Sequence, residues 1–219
     1  INPSEKEYPI LYLSGIDFTV IFNANGGTVS LGSKTITSGN TYGDLPEPTR
    51  SGYTFDGWFT EVVGGDKINS DTIVALSEEH TLYAHWTAEG GIAYKVEYYQ
   101  ENIRRDGYDL DKTEDLYGIT DTLVTATQIT YTGFTENTSH PQRMSSGTIA
   151  ADGSLVLKLY YDRNLYTVSF VSNGGTPVAE LSIPYGAGIS KPDDPSRSGY
   201  RFLDWYKNEG LTDIWNFDT

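Results

Sequence analysis

Short runs of alternating apolar and polar residues recur along the chain, and each predicts a half-buried strand. FTVIF puts Phe18, Val20 and Phe22 on one face of an extended segment. SKTITSGN predicts a second strand, closing a hairpin over Asn25-Gly26-Gly27, residues that tolerate positive φ. SGYTFDGWFT predicts a strand with Tyr53, Phe55 and Gly57 on one side and Thr54, Asp56 and Trp58 on the other. Thr81 to Trp86 predicts a closing strand. Between them, Pro46 and Pro48 leave room for one short helical turn in YGDLPEPTR and nothing longer. Further on, AYKVEYYQEN reads as a strand, RRDGYD as its turn, and two strand-like runs flank Gly118. Asp152-Gly153 marks a hairpin turn into a strand from Leu155 to Tyr161. There Leu155, Leu157, Leu159 and Tyr161 share one face, and Val156, Lys158 and Tyr160 share the other.

Two of these patterns occur twice. FTVIFNANGGT from Phe18 returns as YTVSFVSNGGT from Tyr166, and RSGYTFDGW from Arg50 returns as RSGYRFLDW from Arg197. Order and spacing both survive, which marks a duplicated folding unit. The expected organisation is a leader from a preceding region over 1–17, one module over 18–89, a different module over 92–165, and a second copy of the first over 166–219. In the second copy Leu203 and Asp204 replace Asp56 and Gly57, and nothing after Trp205 corresponds to HTLYAHW. The second copy therefore lacks its final strand. An exposed sheet edge or a loose C-terminal segment should result, and an unpaired edge invites self-association through 166–219. Gly90-Gly91 reads as a hinge. The links Thr87–Ile92 and Asn164–Tyr166 are too short for free bending.

Composition agrees with a β-rich chain. Tyr occurs 17 times against 8 Phe, with 23 Gly and 9 Pro to supply turns. The formal net charge of −15 opposes nucleic-acid backbones and adsorption to anionic lipid. No run reaches the ~18–20 apolar residues of a transmembrane segment. The stretch before Phe18 lacks the basic region of a signal peptide, and a start at Ile1 suits a segment of something larger. With no cysteine, disulfides and thiolate metal sites are excluded.

Candidate chemistry is sparse. His80 and His85 lie five residues apart on one strand, so they face opposite sides, and His140 stands alone. No HExxH-type spacing occurs, and all three read as structural or surface residues. Asp106, Asp109, Asp111, Glu114 and Asp115 form the densest acidic run but lack EF-hand spacing, so a solvated hairpin tip is expected rather than calcium. LPEPT at Leu45 sits inside a module without the Gly, apolar stretch and basic tail of a sorting signal; it is a turn. Trp58 and Trp205, equivalent in the two copies, are expected core anchors, and Trp86 a residue of the junction between modules. No catalytic, cofactor-binding or metal residue is assigned, no cofactor is expected, and the ligand-binding residues are not identifiable.

V-x-F-x-x-N-G-G, then L-P-x-P-T-R-x-G-Y-x-F-x-G-W-F, then T-L-Y-A-x-W resembles the internalin-B-type B-repeat, also called the Listeria–Bacteroides repeat. The middle segment, with YKVEYYQEN, YTGFTEN and SGTIAADGSLVLKLYYDRN, resembles mucin-binding-protein-like (MucBP-like) domains. These resemblances imply a mostly β (α+β) fold of tandem small β-grasp, ubiquitin-like modules in an elongated array. They further imply an extracellular, cell-wall-attached bacterial protein in which such modules form a stalk or adhesive region, with no catalytic residues. The first functional reading is a non-enzymatic stalk or spacer with a part in adhesion. A second is a module binding a host glycan or a host surface or matrix protein, which an exposed contiguous aromatic groove would favour. A third is an accessory region of a large secreted enzyme.

Overall fold

The structure, a computed structural model, describes residues 15–75 and 78–217. Most of the expected leader, residues 1–14, lies outside the described residues. All regular structure among the described residues is β, so neither the helical part of an α+β fold nor the helical turn in YGDLPEPTR is present. The physical reason is local: Pro46 and Pro48 remove donors and fix φ, and the chain crosses there as an extended link.

The first copy builds a five-stranded sheet. β1 (Asp17–Asn23) and β2 (Ser33–Thr37) form the antiparallel hairpin, with Phe18 opposite Ile36. β3 (Tyr53–Phe59) and the two-residue β4 (Lys67–Ile68) pair antiparallel. β5 (His80–Ala88) is central: it runs parallel to β1, from Val20↔His80 to Asn23↔Tyr83, and antiparallel to β3. The order is β2-β1-β5-β3-β4. Phe18, Val20, Phe22, Ile36, Trp58, Ile68, Leu82 and Ala84 are buried in one cluster, so the alternation of β1 places its predicted face inward.

β3 departs from simple alternation. A bulge between Phe55 and Gly57 resets the period, and Gly57 takes φ 138°, a conformation that side chains resist. Phe55 and Trp58 consequently both meet the core, with ring centroids 5.7 Å apart, although strict alternation puts them on opposite faces.

A second sheet follows the same plan. β6 (Ile92–Glu101) lies beside β7 (Tyr108–Gly118), β11 (Val156–Arg163) runs parallel to β6, and β9 (Phe134–Glu136) pairs antiparallel with β11. Val96, Tyr98, Leu157, Leu159 and Tyr161 form its core, the face expected from alternation in β11. The turn at Asp152-Gly153 is present, but the strand before it, β10 (Ser146–Thr148), pairs with β8 (Leu123–Thr125) rather than with β11. The second copy contributes one hairpin, β12 (Leu165–Val168) with β13 (Leu181–Pro184).

Backbone contacts divide the chain into two compact units. One holds the residues up to Ala93 together with Tyr117–Thr122 and Thr148–Ser154; the other holds Tyr94–Leu116, Leu123–Gly147 and everything from Leu155 on.

Candidate functional site

The three histidines are structural. His80 Nε2 lies 2.8 Å from the Tyr42 hydroxyl and its Nδ1 3.0 Å from the Glu78 carbonyl, while its ring meets Phe18 in the core. His85, on the other side of β5, stacks on Phe59 at 3.9 Å and lies 2.9 Å from the Glu61 carbonyl. His140 stacks on Tyr160 at 3.7 Å. No two of them converge on a common point.

The acidic run is spread rather than gathered. Asp106 accepts from Asn102 in the turn before β7, Asp111 accepts from the Tyr131 hydroxyl, Glu114 accepts from Tyr98 and Lys112, and Asp115 pairs with Lys95. Apart from Asp106 these carboxylates lie along β7 itself, not at a hairpin tip. β7 is an edge of its sheet, and a charged edge discourages pairing with another chain. Among the described residues no group of three or more His, Asp or Glu is arranged to hold a metal ion.

The tryptophans separate clearly. Trp58 is 1% exposed and donates through Nε1 to the Pro46 carbonyl at 2.8 Å. Trp86 does not belong to a junction: it packs on Phe55 and donates to the Ala24 carbonyl of its own sheet. The junction positions are filled otherwise. In the first unit the Thr120 amide donates to the Glu89 carbonyl, Tyr53 donates to Asp121, and a Cβ on Gly52 (φ 74°) would strike Ala151. In the second unit Arg163 donates to the Tyr185 carbonyl at 2.6 Å and covers the Phe134 ring. Gly133 there (φ 79°) lies so close to the Tyr185 ring that no Cβ fits.

The richest side-chain cluster was not anticipated as a unit. On the face of the second sheet opposite its core, Tyr160 is sandwiched between His140 and Tyr99, with the Tyr108 ring edge-on at 5.2 Å. Tyr108 donates to Asp162, whose two oxygens each lie 3.0 Å from Asn137 Nδ2, and Tyr99 donates to Glu97 at 2.7 Å. The hydrogen bond to Glu97, with burial second, pushes the Tyr99 hydroxyl up to about 12; on the core side burial, then Glu114, pushes Tyr98 up to about 12. Alternation signals which residues share this face, but Tyr108 and His140 reach it from segments whose pairing the sequence does not state. The rings stack on one another: Tyr160, in the middle, is 4% exposed, while Tyr99, Tyr108 and His140 around it are half-buried. Hollows in the second copy, about 210 Å³ beside Trp215 and about 280 Å³ beside Leu181, fall below the ~300–1,000 Å³ of small-molecule sites.

Residues 18–85 and 166–219, together more than half of the chain, match the Listeria–Bacteroides repeat domain. The chain belongs to this repeat family. A putative Gly-rich membrane protein of Evansella cellulosilytica is 33% identical over 175 residues, 78% of this chain and 19% of that protein. A putative membrane protein of the same organism is 28% identical over 209 residues, 92% of this chain and 30% of that protein. Internalin H of Listeria monocytogenes is 33% identical over 70 residues, 32% of this chain and 12% of the internalin. The chain thus spans less than a third of the length of each of these curated relatives. It is a repeat-containing segment whose relatives are named as bacterial membrane proteins and an internalin. Among the described residues no helix is long and apolar enough to cross a membrane.

Proposed function

We propose that this Listeria–Bacteroides repeat segment is a spacer in an extracellular, wall-attached bacterial protein, where small β modules hold or repeat an adhesive surface. The modules are a repeat over 18–89, a MucBP-like module over 92–165 and a second repeat over 166–219. A β-grasp assignment for the first two is supported by a shared plan: a hairpin, then a last strand inserted parallel to the first. The close-packed junction residues carry the spacer reading. Gly52 against Ala151 in one unit, and Gly133 against Tyr185 in the other, leave no slack at the short links.

Incubating the labelled, folded chain with arrays of glycans and host matrix proteins tests this. The spacer reading expects no saturable binding. Saturable binding that disappears when 92–165 is removed would make the middle module a recognition domain instead.

A further inference from the structure

Force carried along the chain enters the middle module at β6 and leaves it at β11, and these two strands are direct neighbours running parallel. Their ladder spans Lys95–Gln100 against Val156–Tyr161. Tension therefore pulls the start of β6 and the end of β11 in opposite directions along the strands. The evenly spaced bonds of a parallel ladder are then loaded together, in shear. An antiparallel pair with its two ends pulled would open from one side, one bond after another. The first copy has the same arrangement on a shorter scale: β1 begins it, β5 ends it, and Val20–Asn23 run parallel to His80–Tyr83.

Side chains reinforce both ladders. On the outer face of the β6–β11 pair, residues directly opposite one another are joined: Glu97 lies 3.4 Å from Lys158, and Tyr99 stacks on Tyr160 with centroids 4.9 Å apart. On the inner face Val96, Tyr98, Leu157 and Leu159 are fully buried. Past the last register pair, Glu101 Oε2 accepts from the Arg163 amide at 2.9 Å, and the Glu101 carbonyl accepts from Arg163 Nε at 3.2 Å. Glu101 is 8% exposed, and Arg105 Nε reaches both of its carboxylate oxygens, at 3.2 and 3.1 Å. A charge taken this far out of water has to be paired to stay there. In the first copy Asn25 Nδ2 donates to the Ala84 carbonyl at 3.1 Å and Trp86 Nε1 to the Ala24 carbonyl at 3.0 Å. Both bonds continue the β1–β5 ladder past Asn23 and Tyr83.

We infer that these parallel terminal strands are mechanical clamps that bear tension along the chain, and that the middle module is the stronger of the two. Glu97, Tyr99 and Glu101 of β6 grip Lys158, Tyr160 and Arg163 of β11. The outer-face stack thereby gains a function. Tyr160, wedged between Tyr99 and His140, cannot slide along β6 without breaking two ring contacts. Glu101 and Arg163 lock the end at which force leaves the module. A ladder of six register positions against four, with these cross-strand pairs added, makes the middle module open after the first copy. Use of the clamps in the bacterium rests on the spacer reading, whereas the clamps themselves follow from strand order and register.

Single-molecule pulling tests this on the full chain, whose lack of cysteine makes introduced thiols unique attachment points. Handles on Ala93→Cys with Leu165→Cys load β6 and β11 in shear. Handles on Ala93→Cys with Ser154→Cys load the same pair from one end. At equal force the shear geometry should open about 100-fold more slowly, the factor that about two or three hydrogen bonds broken together rather than in turn would give. Glu101→Gln should speed shear opening about 10-fold and end-on opening less than about twofold, because its contact lies at the far end of the ladder. A mere loss of stability would speed both geometries alike, and that result would remove Glu101 from the clamp. Handles on Ile16→Cys with Glu89→Cys, which shear β1 against β5, should give faster opening than shear of the middle module; slower opening would overturn the assigned order. Equal rates in the two geometries would overturn the clamp and leave the spacer reading standing. That comparison keeps Glu101, so it decides the matter even if the variant does not fold, while binding on the glycan and matrix arrays bears on the spacer reading alone.

Discussion

The two repeat copies solve their local geometry alike and their sheet differently. Asn25 and Asn173 take φ 46° and 49°, and the glycines after them 89° and 83°. The Thr28 and Thr176 amides each donate over 2.8 Å, to Thr49 and Ser196. Arg50 and Arg197 both cap their turn glycine and cover the following tyrosine ring. All of this holds although, among the described residues, the second copy pairs no strand at the β5 position. What does not survive is strand structure at the residues β5 pairs with: β1 runs seven residues and β12 four. Turn chemistry is encoded by a few neighbouring residues, whereas a strand is held by its partner. The central strand is therefore what converts a set of pre-shaped loops into a sheet with a core.

The tryptophan pair gives the largest expected contrast. Trp58→Ala empties a buried site and leaves a carbonyl unpaired, so it should cost the first copy about 3–5 kcal/mol in denaturant unfolding. Trp205→Ala, at a site with no hydrogen bond to lose and no strand across it, should cost less than half as much. Equal losses would break the comparison. Gly133→Ala sharpens it at the boundary of the second copy. The residue must keep φ 79° and its methyl meets the Tyr185 ring, so a loss of about 1–3 kcal/mol is expected by thermal melting, with weakened order in β12.

How much of this was legible follows from where each signal resides. Alternation showed the inward faces of β1 and β11 because side-chain direction has period two and needs no partner. The duplicated motifs aligned the second copy with the first as far as Trp205, because their turn residues recur in the same order. The bulge at Gly57 was invisible, since alternation assumes one residue per step and the φ of 138° is a property of the paired state. Pairing of β10 with β8 was equally hidden, because a turn residue such as Gly153 announces a reversal without naming the strand's partner. The stack of Tyr99, Tyr160, His140 and Tyr108 depends on that long-range pairing, and so it became visible only with the fold.

A smaller effect extends the contrast to the middle sheet. Tyr98 and Tyr99 ionise near 10 when unfolded and near 12 when folded. Below pH 10 both states hold these protons and the stabilisation is complete. Between pH 10 and 12 the unfolded chain releases them first, so stability falls as pH rises. Alkaline titration followed by circular dichroism should therefore show loosening of this sheet across that window, reduced in the Tyr99→Phe variant. An unchanged profile in that variant would remove Tyr99 from the account.

Residue-resolved hydrogen exchange on the unmodified chain bears most directly on the role of β5. The Ile21 and Asn23 amides should exchange slowly and those of their counterparts Ser169 and Val171 fast, while the hairpin-side amides of Phe18 and Val20 differ much less from those of Tyr166 and Val168. Slow exchange at Ser169 and Val171 equal to that at Ile21 and Asn23 would show that pairing with β5 is not what protects these amides, and would contradict the account.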